Sequence, residues 1–219
     1  MPFRAEDYDL FVFDCDGVIL DSNGVKSQAI FEAAKPHGEE NAKRLLAYHQ
    51  QHGGISRYAK FAYFVAEILE TPTERREALE KEMVDACARI CRAELQTCAL
   101  IPGVRAFLSS LPERIHSYVV SGGAQSEVRD ALSQRDLDRY FDLVLGSPRS
   151  KADNMQDLDS AGHLRGRGAY FGDARLDMEL AHRFGLDFYF VSGASEWANA
   201  GDECHDPHVC DFDDLVALD

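Results

Sequence analysis

The sequence predicts an α/β fold: a parallel sheet covered by helices, with one all-helical insertion after the first strand. Two observations predict it. Short apolar runs alternate with amphipathic stretches through the C-terminal half of the chain, the pattern of repeated βαβ units. From residue 23 to residue 98 no such alternation occurs, and the patterning is helical throughout. The expected division is therefore a core formed by residues 1–22 and 99–219 and a helical cap formed by residues 23–98.

The first strand is Leu10–Phe13, an apolar run without polar alternation that suits a strand buried on both faces. It stops at Asp14-Cys15-Asp16-Gly17, two carboxylates one residue apart followed by a glycine. Ligands of open parallel sheets bind beyond the carboxyl ends of the strands. Two acids held this close repel unless a cation or shared protons compensate. The pair therefore points to a divalent metal, a nucleophile or both, against the plain alternative of an acidic turn. A calcium loop is excluded because Val18-Ile19-Leu20 is apolar where oxygen ligands are needed.

Within the insertion, Phe61, Phe64, Val65, Ile68 and Leu69 follow helical spacing. Thr71-Pro72-Thr73 breaks the chain, with Thr73 the expected N-cap of a long helix running to about Leu95. Leu79, Met83, Cys87 and Ile90 line its apolar face, and Cys87 and Cys91 read as buried free thiols. Pro102-Gly103 then returns to the core with a helix over 104–111. Strands follow at 117–120, 143–145, 169–171 and 188–191, separated by helices at Gln125–Ser133, 153–160 and 175–184.

Three of those strands also end on polar residues. Val120 leads into Ser121-Gly122-Gly123, a hydroxyl and two glycines able to offer backbone N–H groups to an anion. Leu145 is followed within six residues by Lys151, and Phe171 by Gly172-Asp173-Ala174-Arg175-Leu176-Asp177. Each alone has an ordinary reading as a cap, a surface lysine or an acidic first turn. Together they bring acids for a hard cation, and a hydroxyl and an ammonium for an anion, to one edge of one sheet.

Composition narrows the partners. The 219 residues carry a net charge of −15, which argues against nucleic acid and against an anionic membrane surface. No apolar run approaches the roughly 20 residues of a membrane span, and the acidic N-terminal residues do not form a signal peptide. A cytoplasmic monomer is expected. Of the six cysteines, Cys204 and Cys210 flank His205 and His208 in a segment that reads as a loop before a last strand, with a zinc site the alternative.

The ordered set Asp14-Cys15-Asp16-Gly17-Val18, Ser121, Lys151 and Gly172-Asp173-x-x-x-Asp177 resembles the four motifs of the haloacid dehalogenase (HAD) superfamily. The resemblance covers essentially the whole chain. The insertion resembles the helical cap of the subclass that contains phosphoglycolate phosphatase and β-phosphoglucomutase. The resemblance implies a Rossmann-like core and Mg²⁺-dependent hydrolysis of a small-molecule phosphate ester, a sugar phosphate or short phosphorylated acid or polyol. It implies Asp14 as nucleophile and Asp16 as acid/base. Asp14, the Asp16 carbonyl and Asp173 would hold Mg²⁺, with Asp177 supporting the metal shell or orienting Lys151. Ser121, the N–H groups near Gly122, and Lys151 would bind the phosphoryl oxygens. Asp at position 16 indicates phosphate-ester chemistry rather than dehalogenation. Gly53-Gly54-Ile55-Ser56-Arg57 resembles a substrate-touching cap loop, with Arg57, Asn23 and Lys26 as further substrate-binding candidates. Lys26, near a position where the related mutases carry a cap histidine, favours a phosphatase over a phosphosugar mutase. A non-catalytic member that only binds a phosphate ligand would have lost a motif residue, and none is missing.

Overall fold

The computed structural model describes residues 3–216, leaving residues 1–2 and 217–219 of the expected core outside the described residues. Six strands form one sheet: β1 (Leu10–Phe13), β2 (His116–Ala124), β3 (Leu143–Ser147), β4 (Gly168–Gly172), β5 (Asp187–Val191) and β6 (His208–Val209). Their order is β3-β2-β1-β4-β5-β6, and every pairing is parallel. The fold class is the one the sequence predicts. The sixth strand has two residues, too few for any periodicity, and falls inside the segment expected to be a loop before the last strand.

Strand alternation divides the core into two layers. Phe11, Phe13, Val119, Ala169 and Phe171 face one side, where they meet Phe107 of α5 (Val104–Ser110) and Val128 of α6 (Gln125–Ser133). Leu10, Val12, Val120, Tyr170 and Phe188 face the other, against α7 (Lys151–Ser160) and α8 (Arg175–Arg183). Because β1 is covered on both sides, all four of its residues are buried, and the apolar run in the sequence is continuous for that reason.

Between residues 23 and 95 the regular elements are helices, as expected: α1 (Asn23–Ala34), α2 (Glu39–Gln51), α3 (Arg57–Tyr63) and α4 (Thr73–Leu95). Ile30, Phe61, Phe64, Met83, Cys87 and Cys91 from these helices belong to the same apolar cluster as Phe13 and Phe171. The helix expected around residues 61–69 is α3 continued by one π turn, Phe64–Ile68, which still buries Phe61, Phe64, Val65 and Ile68. Thr73 is the first residue of α4 rather than its N-cap; Pro72 holds the cap position with no side-chain hydrogen bond.

Register aligns the strand ends that carry polar residues. Phe13 pairs with Val119 on one side and Phe171 on the other. The chain therefore leaves β1 at Asp14 beside the point where β4 reaches Gly172 and Asp173.

The apolar layer beneath that edge is aromatic. Phe171 stacks on Phe13 with ring centroids 5.1 Å apart and also contacts Phe11, Phe107 and Phe212. Phe171→Ala is expected to lower unfolding free energy by about 3–5 kcal/mol, read from denaturant melts. A loss under about 1 kcal/mol would contradict this packing.

Candidate active site

Four chain segments meet at the C-terminal edge of the sheet. Asp14 continues β1, its N–H donating to the Phe171 carbonyl at 2.9 Å. Lys151 is the first residue of α7, whose N-cap Ser150 accepts the N–H of Asp153 at 3.1 Å; the helix therefore starts two residues before the expected 153. Asp173 follows β4, and Asp177 lies in the first turn of α8 with a carboxylate oxygen accepting the Ala174 N–H at 3.3 Å.

The Lys151 ammonium is fully buried between two carboxylates, 2.9 Å from Asp14 Oδ2 and 2.6 Å from Asp177 Oδ1. Tyr170 from β4 also donates to Asp177 Oδ1, at 3.0 Å. Burial works against the charge on Lys151, but the two acids outweigh it and hold its pKa above the usual lysine range. For Asp14 burial prevails and, with Asp177 and Asp16 close by, raises the pKa to about 7 despite Lys151. Asp173 is raised well above the usual range by burial and by Asp14.

Two glycines make the approach possible. At Gly172 a Cβ would lie 2.3 Å from the Asp177 Cβ. Gly17 has φ +78°, and a Cβ there would lie 2.4 Å from Asp173 Oδ2. Asn23, at the start of α1, reaches the same carboxylate and donates to Asp173 Oδ2 at 2.6 Å.

Asp14, Asp173 and Asp177 offer carboxylate oxygens that all lie within 4.8 Å of one another, the one such convergence of acidic, cysteine and histidine groups among the described residues. Cys204, His205, His208 and Cys210 form no such group there. With all three acids ionised, one ammonium would leave two negative charges without compensation. An oxygen donor set with that charge fits a hard divalent cation.

Asp16 stands apart from this cluster. Its carboxylate accepts the Ser22 hydroxyl at 2.6 Å and the Lys26 ammonium at 2.7 Å. Burial would raise Asp16, but Lys26 and the Ser22 hydrogen bond hold it below the usual carboxylate range.

The structure places Ser121 differently from the expectation of a hydroxyl at a helix start. Strand β2 runs on through both glycines to Ala124, and Ser121 is fully enclosed, its Oγ accepting the Gly123 N–H at 2.9 Å. Gly122 and Gly123 instead line a cavity, partly open to solvent, between the sheet edge and the helical insertion. The loop Gly53–Gly54 comes down onto the core: a Cβ on Gly122 would strike the Gly54 carbonyl at 2.3 Å, and one on Gly53 would lie 2.9 Å from the Ala174 Cβ.

Arg57 is buried rather than solvated and ion-pairs with Glu127 of α6, a partner that nothing in the sequence marks. Also absent from the sequence expectation are Lys60, His49 and Glu196, which line the cavity. Lys60 alone carried a signal: it is a charged residue between Arg57 and Phe61, on the helix face that the apolar spacing marks as buried. Cys87 and Cys91 are buried and free as expected, and they also form part of the cavity wall.

The sequence profile of the haloacid dehalogenase-like hydrolases matches residues 11–191. No curated protein matches the chain by sequence. Solved structures share its fold. A haloacid dehalogenase-like hydrolase from Streptococcus pneumoniae is 19% identical with a TM-score of 0.70, over 97% of this chain and 99% of that one. A predicted phosphoglycolate phosphatase from Haemophilus somnus is 18% identical with a TM-score of 0.72, over 97% and 98%. A protein provisionally named a β-phosphoglucomutase, from Thermotoga maritima, is 21% identical with a TM-score of 0.64, over 96% and 98%.

The raised carboxyl groups predict how stability depends on pH. Asp14 has a folded value of about 7 against 3.8 for an ordinary aspartate. Between those values the folded chain holds a proton that the unfolded chain has released, so this contribution to stability falls as pH rises from about 4 to about 7. A divalent cation that replaces the proton should raise the melting temperature more at pH 8 than at pH 5. Asp173→Asn should remove most of that cation-dependent shift. An equal shift at both pH values in the unmutated protein would contradict this reading.

Proposed function

Because the chain belongs to the haloacid dehalogenase-like hydrolases, we propose that it is a phosphatase acting on a small phosphomonoester through a phosphorylated Asp14. The observation that carries this reading is the buried Asp14–Lys151–Asp177 arrangement beside Asp173. It keeps a carboxylate fixed, buried and next to a cation at the point where a transferring phosphoryl group gains charge.

In the first step an Asp14 oxygen bonds to phosphorus as the ester P–O bond breaks, and the leaving alkoxide takes a proton from Asp16. In the second, Asp16 removes a proton from water, which attacks phosphorus, releases inorganic phosphate and restores Asp14. Lys26 and Ser22 hold Asp16 ionised before substrate arrives. The acid role therefore requires Lys26 to turn from Asp16 towards the substrate and Asp16 to take up one proton from solvent as the ester binds; the proton it later removes from water restores that form for the next turnover. Lys151 and the N–H groups near Gly122 bind the phosphoryl oxygens, and Ser121 holds the strand end in place by accepting the Gly123 N–H.

Asp14, Asp173 and the Asp16 carbonyl would hold Mg²⁺, which when bound neutralises charge on the phosphoryl oxygens. Asp177 acts mainly by orienting Lys151. Residues 23–98 act as the cap that excludes water and selects the leaving group. Lys26, ion-paired to Asp16, supports hydrolysis over transfer between sugar positions.

Phosphate release from a panel of small esters with Mg²⁺ tests the proposal. Asp14→Asn should abolish turnover, and Asp16→Asn should lower kcat by about 10²–10⁴. Turnover by Asp14→Asn near the unmutated rate would refute it.

A further inference from the structure

Four lysine and arginine side chains line the cavity, and three are paired with an acid. Lys26 is held by Asp16, Arg57 by Glu127 and Arg175 by Glu203. The fourth, Lys60 of α3, is 3% exposed and has no carboxylate within 4.0 Å among the described residues. Its one polar partner is His49 of α2, whose Nδ1 lies 2.6 Å from Lys60 Nζ.

That histidine does not neutralise the charge. Burial and the neighbouring Lys60 push His49 down to about 3, so its ring is neutral and Nδ1 accepts from the ammonium. The other ring nitrogen faces Glu196 at 3.8 Å, too far for a hydrogen bond, and the same Glu196 oxygen already accepts the Ser27 hydroxyl at 2.6 Å. Lys60 thus retains two N–H donors on the cavity wall and has no acid in contact to hold its charge. One turn earlier on the same helix face, Arg57 has a buried Nη1 with no hydrogen-bond partner. A buried cation with no acid beside it and a buried donor with no acceptor are costly unless a ligand supplies both.

We propose that Lys60, with Arg57 beside it, receives a second anionic group of the substrate, and that this group is a carboxylate. The inference rests on the phosphatase reading and narrows it to phosphate esters of hydroxy acids. One uncompensated cation matches one negative charge. A second phosphate would bring nearly two charges at neutral pH into a pocket already lined by Asp16 and Glu196. A neutral sugar would leave the ammonium unpaired. Burial and the charge of Lys26 push Lys60 itself down to about 7; a bound carboxylate offsets both effects.

The experiment compares a phosphorylated hydroxy acid with the monophosphate of the matching diol and with the bisphosphate of the same length. The acid should exceed the diol ester in kcat/KM by about ten- to a hundred-fold, mostly through KM, the range of a hydrogen bond to a charged group. Lys60→Met should bring the ratio close to one, whereas Lys60→Arg should keep most of it. Lys60→Met should melt at or above the unmutated temperature, since it removes an unpaired buried charge. Calorimetric binding of the same three ligands to Asp14→Asn reads the preference without turnover. Preference in binding with no hydrolysis by the unmutated protein would refute the phosphatase reading and uphold the carboxylate subsite. Hydrolysis without preference, preference for the bisphosphate, or preference that survives Lys60→Met would overturn the inference.

Discussion

The buried ammonium of Lys151 is the constraint on which the rest of the site depends. Asp14, Asp173 and Asp177 lie close enough to share a cation, and all three are buried. Such a cluster is tolerated only if positive charge is built in or bound. Lys151 supplies one charge by contacting Asp14 and Asp177 together. To do so, α7 must begin at residue 151, β4 must end beside β1, and α8 must start with its third residue turned back to the sheet. Gly172 permits that return, and Tyr170 fixes the oxygen that receives the lysine.

The two halves of the cavity differ in how their charges are met. On the sheet side, acids exceed bases, which suits a divalent cation and, with it, a phosphoryl group. On the insertion side, cations are paired one to one except at Lys60. Net charge −15 would repel any anionic ligand at long range. Attraction must then come from short-range groups shielded inside the cavity, where fields are less screened. Contact of Gly54 with Gly122, and of Gly53 with Ala174, closes the insertion onto the sheet edge and provides that shielding.

Much of this was legible in the sequence because the information is local. An apolar run of four residues followed by an acid needs only its neighbours to be understood, and four such strand ends in order define the sheet edge. The long helix over residues 73–95 and α6 were equally readable, each having a clear 3.6-residue pattern. What escaped depended on distant partners. Glu127 sits in a helix whose other signals concern only its own packing, yet it neutralises Arg57 from 70 residues away. Glu196 and His49 acquire meaning only when α2 and the loop after β5 meet. The apolar pattern ends the second strand at Val120, before Ser121 and two glycines, whereas β2 continues through them to pair with β3 at Ser147. The Asp16–Lys26 pair lay within ten residues in the chain and still needed the turn through Gly17 to form.

The account makes Asp14 a covalent participant rather than a metal ligand alone. The most direct measurement is rapid acid quenching of the protein during turnover of a labelled phosphate ester, followed by peptide mapping. The account predicts transient label on the peptide that carries Asp14, formed at least as fast as phosphate is released. Turnover with no protein-bound label at any quench time, or with label on another residue, would contradict it.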